Sequence, residues 1–186
     1  MKIKMKKKEM RLNLGCGNDI RKGFVNVDQF SPDADFKWNL NELPYPWEND
    51  SIDEIIMLHV LEHVDDPCAV VEELIRISKP DAKITIEVPH YNHSASIEAV
   101  HKTLFTTHWF RYWYKDNARP YYERDNGYLE QEELIIKPTW IGYPLLFDKL
   151  RIVFTHVLNI PFIFAVRFNF KVDKTPLVKE EKKDEE

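Results

Sequence analysis

Cysteine is scarce: only Cys16 and Cys68 occur in 186 residues, and neither has a partner at metal-ligand spacing. That argues against a disulfide framework and against zinc, and it fits a reducing cytoplasm. Positive charge is not in excess either. The net charge is −5, so the chain as a whole is not built to coat nucleic acid or an anionic membrane. Residues 1–10 are basic, yet no apolar stretch follows them as a secretory signal requires. A membrane-spanning run is missing too. Residues 150–166 come nearest, but Arg151, His156, Asn159 and Pro161 interrupt them, and charge at mid-bilayer is costly. No internal repeat is visible.

What remains has the make-up of a soluble globular protein, 44% hydrophobic and 31% charged. Its length suits one domain, placed at residues 1–174. The lysine-rich start and the mixed-charge run 175–186 read as solvated ends, the latter as a disordered tail.

Strand and helix signals alternate over the first two-thirds, which points to a parallel α/β sheet. Arg11–Leu14 reads as a strand stopped by Gly15, and 24–27 as a second closed by Asp28. Ile52–Leu58 is nearly all apolar after Asp53 and Glu54, as in a strand covered on both faces. In 83–88 Ile84, Ile86 and Val88 alternate before Pro89. Between those last two strands lies the clearest helix, with Asp66 to cap it and Pro67 at its first position. Val70, Val71, Leu74, Ile75 and Ile77 form its apolar face, and Pro80 stops the run. A second helical period covers 145–158. From Phe162 to Val172 the period becomes two, predicting an antiparallel strand near the sheet edge, with Phe162, Phe164, Val166, Phe168, Phe170 and Val172 on one face.

The strongest local signal is Leu12-Asn13-Leu14-Gly15-Cys16-Gly17-Asn18. Glycines there let the backbone turn sharply and approach a ligand with no Cβ in the way. The second strand ends in Asp28, whose carboxylate is placed to accept hydrogen bonds from both hydroxyls of a ribose; a turn or a helix cap is its competing role. Two adenine nucleosides suit this arrangement, a nicotinamide dinucleotide and S-adenosylmethionine. The dinucleotide pattern needs a third glycine and an acid about twenty residues on. Here Asn18, Asp19 and Ile20 follow Gly17, and Asp28 comes too soon for a full crossover helix. S-adenosylmethionine, having no phosphate, needs neither.

Residues 11–110 resemble the S-adenosylmethionine-dependent methyltransferases of class I, in particular small bacterial and archaeal members of undefined substrate. Leu12–Gly17 is similar to their first motif, Val27-Asp28 to their ribose-binding acid, and Asn39-Leu40 to the stretch that meets adenine. His59-Val60-Leu61-Glu62-His63-Val64 after Ile52–Leu58 is the most specific match, and His101-Lys102-Thr103-Leu104-Phe105 resembles a segment after the fifth strand. Asn13 stands where an acid is common, Asn39 replaces another frequent acid, and 79–83 lacks two usual glycines. The resemblance implies an α/β, three-layer Rossmann-like sandwich, its seven-stranded sheet mostly parallel with an antiparallel closing strand. It implies S-adenosyl-L-methionine as cofactor, held by Asn13, Gly15, Cys16, Gly17, Asp28, Asn39, Leu40 and His59.

For the acceptor side, 89–128 is expected to form an insertion or lid. Its aromatic residues have three readings: core packing for about half of them, an acceptor pocket that includes Trp113 and Tyr114, or a nucleic-acid surface with the nearby arginines. Acids among them and the net charge weigh against the third, so no nucleic-acid partner is expected. A hydroxyl acceptor needs a general base, for which His101, His90 and His63 are the candidates, each with a structural role as competitor. His90, His93, His101 and His108 match no compact zinc pattern, so no metal is expected. The expected reaction is methyl transfer, by preference to oxygen, on a small-molecule or glycan-pathway acceptor. A noncatalytic cofactor-binding scaffold and a dinucleotide oxidoreductase are the alternatives. The oligomeric state is open.

Overall fold

A computed structural model of the chain describes residues 9–117, 126–138 and 163–175. Six strands form one sheet in the order β2-β1-β3-β4-β6-β5. They are β1 (Arg11–Leu14), β2 (Val25–Val27), β3 (Ile52–Leu58), β4 (Ser78–Pro89), β5 (Tyr128–Pro138) and β6 (Ile163–Asp173), with one α-helix, α1 (Pro67–Ile77), between β3 and β4. β1 pairs in parallel with β2 and β3, and β3 with β4; β6 is antiparallel to both β4 and β5. This is the mostly parallel, Rossmann-like α/β sheet with an antiparallel closing strand that was expected. Six strands are described where seven were expected, and the helix expected over 145–158 lies outside the described residues, as does the tail beyond Thr175.

The local chemistry explains the elements. Asp66 accepts the Ala69 amide at 3.0 Å and caps α1, with Pro67 at its first turn. Val70, Val71, Leu74, Ile75 and Ile77 are at most 1% exposed, each contributing roughly 1.5–3 kcal/mol by burial. The helix ends at Ile77, before Pro80, because Ser78 already pairs with Ile52 as the first residue of β4 while its hydroxyl donates to the Leu74 carbonyl at 2.7 Å. β4 is thus longer at both ends than the 83–88 read from alternation.

Arg76 closes the same corner. Its guanidinium donates twice to Glu73 at 2.7 Å, to the Tyr45 and Trp47 carbonyls at 3.1 Å, and to Asn49 at 2.7 Å. This side chain clamps the loop over residues 38–50 to α1, together with Glu73, which accepts the Tyr45 amide at 2.7 Å.

In β6, Val166, Phe168, Phe170 and Val172 are buried on alternate positions as predicted. Phe164 is not: it is 37% exposed, while its neighbours Ile163 and Ala165 are fully buried. The register shift between Lys137 and Pro138 in the facing strand falls at this end, where strict alternation breaks. β6 also lies one strand in from the edge, which β5 forms. No reading of the sequence found β5, because Glu130, Gln131, Glu132 and Glu133 give it an exposed, polar middle. About half of the aromatic stretch is core, as expected. Phe110 packs on Phe168 and Phe170 at 4.6 and 5.0 Å, and buried Trp113 donates its indole N–H to Glu72 of α1 at 2.7 Å.

Candidate active site

β2 lies on one side of β1 and β3 on the other. The loops leaving the carboxyl ends of β1 and β3 therefore diverge, and an open α/β sheet has its ligand crevice at such a point. A cleft of about 320 Å³ occurs there, lined by Gly15 and Asp28, by Trp38, Asn39 and Leu40, and by His59, Val60 and His63. That volume is within the range of small-ligand sites.

Gly15 is the tight point of the turn. Its φ is +65°, and a Cβ added there would lie 2.3 Å from Val60 Cγ2. Only glycine lets the loops after β1 and β3 pass so closely. Gly17, at φ +50°, has nothing within 4 Å of an added Cβ, so its need for glycine is conformational.

Asp28 is held by backbone donors. The Gly17 amide reaches its Oδ2 at 3.0 Å, and those of Phe30 and Ser31 reach its Oδ1 at 2.7 and 2.8 Å. Burial opposes its ionisation, but the Ser31, Phe30 and Gly17 amides outweigh it and keep the carboxyl below its ordinary range. The carboxylate is charged near neutral pH, and Oδ2 has accepting capacity left for a hydroxyl donor. This fits a ribose at the cleft.

Other expected contacts are placed differently. Asn13 is buried, and its amide donates to the Asp19 carbonyl at 2.6 Å and to Asn26 at 3.0 Å. It braces the glycine turn from inside the fold. Cys16 is 5% exposed, its amide donates to the Val27 carbonyl at 3.0 Å, and burial raises its thiol pKa. Neither it nor Gly17 lines the cleft. Asn39 and Leu40 do, and Tyr45 fixes their loop by donating its hydroxyl to the Leu40 carbonyl at 3.1 Å.

His59 stands at φ +55°, a conformation that non-glycine residues rarely hold outside functional or strained sites. Its Nε2 is 3.0 Å from Glu87 and its Nδ1 is 3.5 Å from Glu62. Glu62 first, then Glu87, raise its pKa to about 9, so it is a cation at neutral pH. Glu87 is 2% exposed and also accepts from Lys137 and Arg167, each at 2.6 Å. Burial works against this carboxylate, yet His59, Lys137 and Arg167 bring it down to about 2.

The three candidate bases separate. His63 lines the cleft, and the His101 ring lies 4.6 Å from it. His90 is fully buried, with its ring 4.7 Å from Tyr91. His93 caps a short 3-10 turn, accepting the Ala95 amide at 3.1 Å, and His108 begins the turn Trp109–Trp113. The four histidines weighed as a set form no group of ligands among the described residues.

Four positions of interest escaped the sequence reading. Glu87 was visible in principle, as an acid inside the apolar run Ile84 to Val88. Glu62 stands out in the sequence only as part of the His59–Val64 motif. Trp38 and the 83% exposed Phe30 line the cleft, and nothing but their nearness to Asp28 signals it.

A family model described as a methyltransferase domain matches residues 6–127. A search of curated proteins gave no match. Solved structures of the same fold are numerous. One is an S-adenosylmethionine-dependent methyltransferase from Mesorhizobium loti, 13% identical, with 87% of this chain and 90% of that chain covered and a TM-score of 0.55. Another belongs to a methyltransferase–activator complex from Haloferax volcanii, 17% identical, with 92% and 85% covered and a TM-score of 0.56. A third is a phosphoethanolamine N-methyltransferase from Haemonchus contortus, 13% identical, with 92% of this chain and 50% of that chain covered and a TM-score of 0.53. Glycine turn, backbone-held acid and cleft all lie inside the matched region, and the chain belongs to the methyltransferase-domain family, on the class I fold of the S-adenosylmethionine-dependent enzymes.

Proposed function

We propose that this chain methylates an oxygen of a small-molecule or glycan-pathway acceptor in the cytoplasm. Asp28, locked by three amides beside the Gly15 turn, carries the reading, since such a carboxylate is built to take hydroxyl donors. Asp28 would hold the ribose, Asn39 and Leu40 the adenine side, and Gly15 the close backbone approach. S-adenosylmethionine supplies a methyl carbon already activated by its sulfonium, so alignment and exclusion of water are the protein's main tasks.

Of the three candidate bases, His63 lines the cleft and suits proton removal from a hydroxyl, with His101 packed against it; His90 is enclosed. The segment from His90 to Asn117 would border the acceptor, with Phe164 of β6 packed 4.9 Å from His93. Among the described residues no helix is long and apolar enough to cross a membrane. One structural neighbour is named for a small phosphorylated amine, in keeping with a small acceptor.

The test is formation of the demethylated cofactor with a panel of hydroxyl, carboxylate and amine acceptors. Turnover with hydroxyl compounds supports the assignment, and turnover confined to amines overturns the oxygen preference. Tight cofactor binding without turnover on any acceptor class would favour the scaffold.

A further inference from the structure

Three side chains that no spacing marks as a set meet beside the cleft. Glu62 and His63 lie in the turn after β3, and His101 comes from the segment that follows β4. The Lys102 amide fastens the two stretches, donating to the Glu62 carbonyl at 2.7 Å. One donor atom from each of Glu62, His63 and His101 lies within 4.8 Å of the other two.

Their hydrogen bonding is incomplete in a particular way. Glu62 is 1% exposed, and its Oε2 has no hydrogen-bond partner among the described residues. The buried Nδ1 of His101 has none either. Buried polar atoms are nearly always satisfied, so two orphans at one spot call for an explanation. An edge-to-face histidine pair acting alone leaves Glu62 Oε2 unexplained. His63 Nδ1, by contrast, is 3.2 Å from the Val100 carbonyl. Donation there fixes the tautomer and leaves Nε2 as a free lone pair, the usual outer contact of a metal-bound imidazole.

We propose that Glu62, His63 and His101 bind one divalent transition-metal cation, zinc foremost, on the wall of the cleft. Two imidazoles and one carboxylate are a zinc-type donor set, and three protein ligands leave a position open. Donors at about 2.1 Å from a tetrahedral zinc stand about 3.4 Å apart, so the three side chains draw together on binding. His63 also lines the cleft, which sets the cation beside the acceptor space. If the oxygen-methylation reading holds, on which this role rests, the cation acidifies the acceptor hydroxyl, whose proton leaves to solvent water, and His63 and His101 then act as ligands in place of a histidine base.

The experiment uses the full chain without an affinity tag, stripped with a chelator and titrated with Zn2+ alone by calorimetry. Cobalt absorption reports the coordination, and the histidine ring resonances of the wild type are followed during the zinc titration. One equivalent bound, with the His63 and His101 rings shifted most, His59 following through its contact with Glu62, and His93 and His108 unmoved, supports the site. So does weakening on the order of 100-fold in His63→Gln and in His101→Gln, with His93→Gln binding as wild type. No zinc bound by the folded wild type, or wild-type affinity in both His63→Gln and His101→Gln, overturns it. The ring resonances decide the matter in the wild type even if a variant fails to fold. S-adenosylmethionine binding is measured on the same samples: its presence without zinc sinks the metal site alone, and zinc without it sinks the cofactor reading alone.

Discussion

The two sides of the crevice are made of different material. On the β1–β2 side, the ligand-facing features come from the main chain: a glycine turn, and three amides that fix one carboxylate. Behind His59, where β4 meets β6 and β5, the structure rests on charged side chains. Glu87, from β4, binds His59, Lys137 and Arg167, which come from the turn after β3, from β5 and from β6. A backbone-built wall presents the same groups whatever the neighbouring side chains are, and it suits a ligand that does not vary. A wall of side chains is changed by one substitution. The first therefore answers to changes of backbone freedom or of Asp28, and the second to changes of charge.

Breaking the charged side should have the largest effect on stability. Glu87→Leu leaves Lys137, Arg167 and His59 facing a spot where their common partner was; because those three side chains are 31–42% exposed, the cost is about 2–3 kcal/mol, below that of a fully buried set. Urea unfolding of the variant should show that loss; a change below about 1 kcal/mol would mean that water already screens Glu87. Breaking the backbone-built side should act on the ligand instead. Asp28→Ala is expected to weaken S-adenosylmethionine by about 100-fold, because a charge-assisted bond contributes about 1.5–3 kcal/mol and more than one is lost. Calorimetry checks it, and affinity within threefold of wild type would show that the ribose does not lie on Asp28. Gly15→Ala sharpens the same point. The added methyl meets Val60 and forces a φ that alanine avoids, so affinity should fall even though Asp28 is intact.

The contrast also accounts for what could be read in the sequence. The parallel half was legible because its signals are local: the alternation of Leu12 and Leu14, the stop at Gly15, the cap-and-proline pair Asp66-Pro67, and the acid that closes β2. Gly15, Asp28, Asn39, Leu40 and His59 were named in advance, and all of them line the cleft. The antiparallel half was not legible to the same degree. β5 hides behind four consecutive polar residues, and the partners of Glu87 are distant along the chain. Asn13 shows what the motif alone does not tell: its amide is also a brace of the turn, donating to Asp19 and Asn26. Glu62, His63 and His101 come together only because the chain returns to β3 after β4.

A clamp that belongs to neither side tests how far the cofactor wall depends on side chains behind it. Arg76 ties the loop bearing Trp38, Asn39 and Leu40 to α1 through Glu73, Tyr45, Trp47 and Asn49. Both members of the Arg76–Glu73 pair are mostly buried, with side chains 17% and 14% exposed. Arg76→Met keeps much of the aliphatic stem and should cost about 2 kcal/mol in urea unfolding. Cofactor affinity should fall by only a few-fold, since the loop loses its anchor and not its contacts. A loss as large as that of Asp28→Ala would place the adenine side of the cleft under the control of this clamp.

The smallest expected effect concerns the outer edge of the charged half. Lys115, in the short 3-10 turn Lys115–Asn117, donates to Asp173 at the end of β6 at 2.8 Å, and the Thr175 amide donates to the same carboxylate at 2.7 Å. Lys115 first, then Thr175, bring the Asp173 carboxyl from 3.8 to about 2. A carboxyl depressed on folding adds stability above its unfolded value, and that stability is lost as pH falls through its folded value. Asp173→Asn should thus be less stable than wild type near neutral pH, by about 1 kcal/mol or less for a pair this open to solvent. The difference should shrink once pH drops below 3.8 and vanish near 2. Urea unfolding of both proteins along that pH range checks it. A difference that persists unchanged below 2 would show that Asp173 acts through its hydrogen-bond geometry and not its charge, and the contrast between a backbone-built and a charge-built half would then stop short of the sheet edge.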